Sequence, residues 1–555
     1  MIKNNNLKKI IFIILISLIS FYVNFYFGHQ GLMPLDDLQN FNSGHRILKG
    51  DFPFRDYYSI TGPILDIWQS YFYKIFGSNW QSLIIHASTL NCIYSLSIFF
   101  FLNRLNIKQI DSFFFSISAG LLMYPPAGSP TVEHSSLILS TIAFFYFIIG
   151  LKEKNNLFLI LSIIIFTISF FTKQVPTAYF VILSIIIYFS QIFNKINIFN
   201  FILLIISSLF SVLFIIIYFK FNDVLLSEIY NQYFLIASSL GENRFSNLNF
   251  DIFYNKISKI FFVLFLIIPT LYLSLVKRKI SSFLVIFGIS LILIIYEIHS
   301  NNQPITFGLL PVTIALFYYF HIDENLNSSF IRYFFWLITT YCFYRILRFE
   351  INYLIIFVLI IFFEFRKNIS LRYLIIIYLF ISSCFYFEKY VKIRSWDDLN
   401  KDDLKSSFDA GIIDKKLKNL KWKTVYFKNP DLEKKLIFET LDYLKSLDED
   451  VNYLLITEYQ IYNLILDQKD YSPVKYWHLN ASYPSKNHPQ RNNFEIFFKK
   501  KITENKINQI IIDNTAGFKS NNLDEFKWLN KCVVRIDIPN HNYIDIFNIK
   551  KNCLN

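Results

Sequence analysis

Long apolar runs separated by short polar turns fill the first 390 residues of the chain, and the pattern changes after them. A helix that crosses a bilayer needs about 20 mostly apolar residues, with a range of roughly 17–25. The runs predict 13 spans, of which those at 112–125 and 157–172 are short. The other predicted spans are 9–27, 81–102, 136–151, 176–191, 199–219, 259–276, 281–298, 305–321, 331–347, 351–365 and 372–388. We therefore predict a polytopic α-helical membrane region over residues 1–390.

Residues 391–555 mix charged and apolar positions and hold 27 Lys and Arg and 23 Asp and Glu. A charged helical pattern at 431–447 precedes an apolar strand pattern at 453–459, and a second helical pattern at 492–506 precedes one at 509–513. Such alternation with short connections favours a layered sheet. The sequence thus predicts a soluble α/β domain over residues 391–555.

The composition agrees with this division. The chain is 54% hydrophobic and 17% charged, with a net charge of +13, and its mean hydropathy is +0.38. No dense basic run indicates nucleic acid. Basic residues instead gather in alternate short loops, which predicts a cytoplasmic N-terminus. An odd number of spans then places residues 391–555 in a periplasm or its equivalent, and we predict a multi-pass protein of the bacterial inner (plasma) membrane.

The five cysteines show no metal-ligand spacing. Cys532 and Cys553 share a compartment in which they could be oxidised, so a disulfide between them is one alternative and two free thiols the other.

The predicted outside loop at 28–80 contains most of the residues that suggest chemistry. Asp36 and Asp37 follow the first span, and His45, Arg46, Arg55, Asp56 and a Thr-Gly-Pro turn at 61–63 come after them. An Asp after a Pro is a good helix N-cap. A cap does not need a second acid beside it, however, and a carboxylate at a membrane surface can act as a general base. Both interpretations of the acidic pair stay open at this point.

This loop resembles that of the GT-C glycosyltransferases, in particular the bacterial aminoarabinose transferases and the dolichyl-phosphate-mannose protein mannosyltransferases. The shared features are an acidic pair after the first span, a pattern like Arg46 to Gly50 with Phe52 to Asp56, a Gly62-Pro63 turn, and Phe76-Gly77. The second acid is more often Glu in that family. The match is specific over residues 30–80, fair to about 180, and limited to topology beyond.

The resemblance extends to two later positions. The family brings another acid after the third span, where this chain has Glu133 followed by His134. The family also carries a Lys after the fifth span, and here Thr172-Lys173-Gln174 has Gln in place of the usual Gly. Glu133 could instead cap a helix start, and Lys173 could reach towards the interface as an anchor.

Three further residues are candidates for phosphate contact by charge and depth only. They are His299, Arg345 and Arg348, and the alternative for each is an anchor at the membrane interface.

The resemblance implies a polyprenyl-phosphate sugar donor and a single inverting displacement. It assigns Asp36, Asp37 and Glu133 as catalytic acids, with Asp36 as the base. It implies that Lys173 binds the leaving phosphate. Arg345, Arg348 and His299 are further phosphate-binding candidates by their charge and depth alone. His45, Arg46, Arg55, Asp56 and His134 are substrate-binding candidates. No cofactor is certain, although a divalent metal such as Mg or Mn could lie between Asp37 and Glu133. The acceptor is a lipid, a glycan or a protein.

Other functions remain as alternatives. An O-antigen polymerase or ligase, a polysaccharide-export protein, a transporter or a non-catalytic assembly partner would also be polytopic. A transporter more typically shows internal repeats and charges deep within paired spans, and the sequence shows neither.

Overall fold

The computed structural model describes residues 2–192, 198–236, 238–239, 371–448, 450–479, 482–513, 520–537 and 543–550. Five predicted spans lie outside these residues, at 259–276, 281–298, 305–321, 331–347 and 351–365. Three predicted site residues, His299, Arg345 and Arg348, lie outside them as well.

Helices account for most of the described N-terminal part. They are α1 (Ile2–Phe27), α2 (Pro34–Leu48), α3 (Ile64–Phe76), α4 (Trp80–Arg104), α5 (Gln109–Leu122), α6 (Val132–Glu153), α7 (Asn156–Phe170), α8 (Gln174–Ile192), α9 (Ile198–Phe221) and α10 (Leu226–Ile229), with a π-helical turn at Tyr230–Leu235.

Four of these helices are long and apolar enough to cross a membrane: Asn6–Phe27, Trp80–Arg104, Val132–Glu153 and Phe199–Phe221. They coincide with predicted spans, and the shorter apolar helices α5, α7 and α8 coincide with three more. Helix α9 leaves large apolar side chains exposed, including Leu209 (67%) and Phe210 (72%), which a water-soluble protein would bury. The chain is therefore a helical membrane protein, and the total of 13 spans stays a prediction.

Polar side chains join the first helices inside this bundle. The Asn91 amide of α4 donates to the backbone oxygens of Ser20 in α1 (2.8 Å) and Gly120 in α5 (2.7 Å). These bonds satisfy buried polar groups where no water is available, and they hold α1, α4 and α5 in register.

The region after residue 370 begins with α11 (Leu371–Tyr386) and a π-helical turn at Phe387–Lys392. Its later helices are α12 (Lys401–Lys405), α13 (Pro430–Ser446), α14 (Tyr462–Ile465), α15 (Arg491–Glu504) and α16 (Lys527–Cys532). Its strands are β1 (Phe408–Asp409), β2 (Lys421–Trp422), β3 (Tyr453–Ile456), β4 (Gln509–Asp513), β5 (Val533–Ile536) and β6 (Ile544–Ile549).

Strands β3 to β6 form a mixed four-stranded sheet in the order β3-β4-β6-β5. Strands β3 and β4 are parallel, whereas β6 runs antiparallel to both of its neighbours. Alternate side chains of β3 face opposite layers: Leu455 packs in the same core as α13, and Leu454 packs in the same core as α15. The predicted helices and strands are therefore present. The assignment of residues 391–555 as a separate extracytoplasmic domain stays a prediction.

The loop at 28–80 and the region after 391 share one hydrophobic core. Leu38 and Phe41 of α2 belong to the same buried cluster as Leu417, Trp422 and Tyr459. Segments that pack together in this way lie on the same side of any membrane that α1 crosses.

Cys532, at the end of α16, is disulfide-bonded. Its predicted partner, Cys553, lies outside the described residues, so their pairing stays a prediction.

Candidate active site at the start of helix α2

Asp36 lies in the first turn of α2, where Pro34 and the extended Met33 begin the helix. Its side chain is exposed to solvent, yet protein surrounds it closely enough to disfavour its charge. Burial raises the pKa of the Asp36 carboxyl to about 6, and the negative charges of Asp37 and Glu133 add to this, while Lys173 opposes it. A carboxylate that solvent can reach but that protein atoms largely surround is expected where the side chain lines a cavity.

The neighbouring acid, Asp37, is buried, and both of its carboxylate oxygens accept hydrogen bonds. One of its oxygens accepts the backbone N–H of Met33 (2.9 Å) and the other accepts the Ser129 hydroxyl. Burial raises the pKa of Asp37, although the nearby Arg394 charge and both hydrogen bonds lower it. Asp37 therefore fastens the start of α2 to the loop before α6.

Glu133 and Lys173 form an ion pair beside Asp36. Glu133 lies in the first turn of α6, whose N-cap Thr131 accepts the backbone N–H of His134 at 3.2 Å. Lys173 lies between α7 and α8. The two side chains are 26% and 23% exposed, so the pair can be reached by a ligand. The structure thus brings together Asp36, Glu133 and Lys173.

The Thr-Gly-Pro turn fixes the backbone next to Lys173. The backbone N–H of Gly62 donates to the Thr172 carbonyl oxygen at 3.1 Å. A Cβ atom at Gly62 would lie 1.6 Å from the Phe171 carbonyl oxygen, so only glycine permits this approach. The turn therefore sets the position of the Lys173 backbone.

The predicted substrate-binding residue Arg46 is buried in a charge network. Its guanidinium lies 3.0 Å from Asp51 and 3.8 Å from Asp470, and it covers the Tyr57 ring at 4.2 Å. Its neighbour His45 is buried 3.8 Å from Asp467, and burial lowers the pKa of this imidazole to about 4. Both side chains connect the loop to the region after 391.

Arg55 and Asp56 pair with each other at 2.7 Å. Arg55 also donates to the Asn222 carbonyl oxygen at 2.9 Å, and Asp56 accepts the backbone N–H of Phe52 at 2.7 Å. His134 is buried, and its ring stacks on Tyr124 with centroids 5.4 Å apart. These three predicted substrate-binding residues thus make contacts that hold the scaffold, and substrate contact by them stays a prediction.

The donor set does not fit a divalent metal. Both Asp37 oxygens accept protein hydrogen bonds, and Glu133 pairs with Lys173. Within the described ranges no group of three or more His, Cys, Asp and Glu side chains could hold a metal ion. We therefore derive no catalytic step through a metal.

Arg394 was missed by the sequence analysis. It donates to the carbonyl oxygens of Pro125 (3.1 Å), Pro126 (2.8 Å) and Ala127 (2.8 Å), and it pairs with the buried Asp397 at 2.9 Å. Arg394 thereby holds the loop that leads to Glu133. An arginine a few residues after the last predicted span was the available signal, but such a residue is usually an interface anchor.

Tyr426 and Tyr476 were missed as well. Besides burial, the charge of Asp36 contributes to the raised pKa of each phenol. Two tyrosines from the region after 391 therefore lie within electrostatic range of Asp36. No local motif marks either residue.

Comparisons with known proteins give one kind of match. No protein-family profile matches this sequence, and no curated protein matches it. Among solved structures, ArnT from Cupriavidus metallidurans matches in its undecaprenyl phosphate-bound form with a TM-score of 0.40 and 10% identity, covering 98% of both chains. The apo form of the same protein matches with the same values.

Proposed function

We propose that this chain is an inverting glycosyltransferase that moves a sugar from a polyprenyl-phosphate donor to an acceptor hydroxyl or amine at the outer face of a bacterial inner membrane. The observation that carries the proposal is the grouping of Asp36 with the Glu133–Lys173 pair at the helix ends next to the outside loop. This grouping supplies a base and a cation to one reaction centre.

Asp36 is the proposed general base. The acceptor oxygen or nitrogen attacks the anomeric carbon, the bond from that carbon to the phosphate oxygen breaks, and the acceptor proton passes to Asp36. A carboxylate with a pKa of about 6 is a better proton acceptor than an ordinary aspartate and is still largely ionised at neutral pH. Asp37 holds the helix turn that carries the base in place.

Lys173 is the proposed partner of the leaving phosphate. Its ammonium group has three N–H donors, so it can bind a phosphate oxygen while it keeps its contact with Glu133. The cation stabilises the negative charge that develops as the phosphate leaves. The lipid tail of the donor lies in the membrane, which places its phosphate at this helix end.

The test is sugar transfer in liposomes from a panel of polyprenyl-phosphate sugars, comparing wild type with Lys173→Gln. We expect the variant to lose about 10²-fold or more in kcat/KM because one phosphate-stabilising group is removed. The matched control is Lys220→Gln, which changes an exposed lysine in the last turn of α9. Equal rates for wild type and Lys173→Gln would overturn the role of Lys173, and no transfer by wild type from any donor in the panel would overturn the function.

A further inference from the structure

Tyr426 and Tyr476 lie within electrostatic range of Asp36, and Glu458 lies within range of Tyr426. Hydrogen bonds tether the segment that carries each of these three side chains to the loop at 28–80 or to α2. The first tether holds Tyr426. Backbone N–H groups of Gly31 and Leu32 donate to the carbonyl oxygens of Lys421 (3.0 Å) and Lys423 (3.2 Å). Residues 31–32 directly precede α2, so this pairing brings the chain that leads to Tyr426 to the beginning of the helix.

The second tether holds Glu458, which follows β3. Gln460, two residues further on, accepts the side-chain N–H of Asn42 in α2 at 3.0 Å. Asn42 also donates to Asp470 at 2.6 Å. The end of the parallel strand β3 is thus fixed against α2, because both Asn42 contacts are buried.

The third tether holds Tyr476. The backbone N–H of Tyr58 donates to the Pro473 carbonyl oxygen at 2.8 Å, and that of Lys475 donates back to Tyr58 at 3.2 Å. The Lys475 ammonium is buried 2.6 Å from Asp66. This pairing places Tyr476 where the charges of both Asp36 and Glu133 act on it.

These three side chains, Glu458, Tyr426 and Tyr476, combine a carboxylate that can accept hydrogen bonds with two aromatic rings. Glu458 is 5% exposed, and its Oε2 has no hydrogen-bond partner among the residues that the structure describes. Glu458 lies close enough to Tyr426 for its charge to raise the pKa of the phenol, and the Tyr426 side chain is 38% exposed. An unpartnered buried carboxylate oxygen is costly unless a ligand donor completes it.

We propose that Glu458, Tyr426 and Tyr476 form the acceptor subsite, and that the acceptor is a saccharide. A sugar ring offers hydroxyl donors for the carboxylate and an apolar C–H face for the tyrosine rings. This inference rests on the proposed function.

The geometry of an inverting displacement favours contact of Glu458, Tyr426 and Tyr476 with the acceptor sugar, not with the donor phosphate. In an inverting displacement the nucleophile and the leaving group lie on opposite sides of the anomeric carbon. Glu133 lies in the first turn of α6 and Lys173 lies between α7 and α8, at the ends of apolar helices from which the donor phosphate approaches. Tyr426 and Glu458 belong to the region that covers Asp36 from outside, so they contact the attacking sugar.

The experiment measures the acceptor KM, the donor KM and saccharide binding for the full-length protein in detergent. The variants are Glu458→Gln, Tyr426→Phe and Tyr426→Ala, with Glu504→Gln as the control for an exposed glutamate. We expect Glu458→Gln and Tyr426→Ala to raise the acceptor KM tenfold or more with the donor KM unchanged, and Tyr426→Phe to have a smaller effect because it keeps the ring.

Binding is read separately from turnover by titrating methyl glycosides of neutral and amino hexoses into wild type and Asp36→Asn. We expect both to bind, and Glu458→Gln and Tyr426→Ala to lose the binding. If wild type binds saccharides but transfers sugar from no donor, the proposed function is wrong and the saccharide-binding subsite is still supported. An unchanged acceptor KM, a change confined to the donor KM, or no saccharide binding by wild type would overturn the inference. If Glu458→Gln does not fold, the two Tyr426 variants decide the question, since that side chain is partly exposed.

Discussion

Two stretches of the loop at 28–80 are rich in charge, and their side chains have different surroundings. At the start of α2, Asp36 stays accessible to solvent with its pKa raised to about 6. Further along, Arg46 and Asp51 are buried and neutralise each other across 3.0 Å. The sequence predicts a catalytic role for the first stretch and substrate binding for the second. The comparison shows that the charged residues of a motif can stabilise the fold instead of binding substrate. The better candidate for catalysis is an ionisable side chain that solvent can reach and whose charged form is disfavoured by its surroundings.

The largest expected effect on stability concerns the second stretch. Arg46→Ala would leave Asp51 and Asp470 buried without their cation, and we expect a loss of about 3–5 kcal/mol in the free energy of unfolding. Denaturant unfolding of the protein in detergent measures this loss.

The control for that experiment is Arg55→Ala in the same motif. Arg55 is 29% exposed, and a pair of this kind contributes about 1 kcal/mol or less. If both substitutions cost the same, the contrast between buried and accessible charges within this loop is wrong.

The next effect concerns the connection between the loop and Lys173. Gly62→Ala would force the backbone at Phe171 to move, because the added Cβ would lie 1.6 Å from a carbonyl oxygen. We expect the transfer rate to fall on the order of 10²-fold, since a displacement of about 1 Å in a positioned group costs that much.

Gly50→Ala is the comparison for Gly62→Ala. Gly50 has φ +92°, and no atom lies within 4 Å of its added Cβ. We expect a stability loss of roughly 1–2 kcal/mol from backbone strain, with the rate unchanged. Equal rates for wild type and Gly62→Ala would show that the turn does not position Lys173.

The smallest expected effect is a shift in pH dependence. A base works when it is deprotonated, so the rate should rise with pH through about 6, the pKa of Asp36. Glu133→Gln removes a negative neighbour that raises this pKa and leaves Lys173, which lowers it. The acidic limb of the pH–rate profile should therefore move to lower pH.

Glu153→Gln provides the matched control, because Glu153 lies at the other end of the same helix and pairs with Arg104. Its profile should match that of wild type. An acidic limb that stays in place or moves to higher pH in Glu133→Gln would contradict the electrostatic account of Asp36.

The sequence predicted most of the described helices and strands and part of the candidate active site. Eight described helices, α1, α4 to α9 and α11, coincide with predicted spans because a membrane helix is a continuous local pattern. Asp36, Glu133 and Lys173 emerged as a group through the resemblance, and each lies at a helix end where a short polar turn interrupts apolar residues.

The contacts that build the rest of the site leave no such pattern. Asn42 and Gln460 are 418 positions apart along the chain, and their hydrogen bond depends on how the whole region after 391 folds. The same holds for Arg394, which reaches back to Pro125 and Pro126. The resemblance named Asp36 as the base, but the sequence does not show why Asp37 is engaged elsewhere, because partners such as Ser129 are supplied by tertiary packing.

The most direct test of the central claim measures transfer rate and melting temperature of Asp36→Asn in one preparation. The folded protein raises the pKa of Asp36 above its ordinary value of 3.8, so at neutral pH the charge of this carboxylate opposes folding. We predict an equal or higher melting temperature together with a rate loss of about 10²–10⁴-fold, the usual contribution of a general base. A variant with the full transfer rate and a lower melting temperature would show that Asp36 only supports the helix start, and would contradict the account.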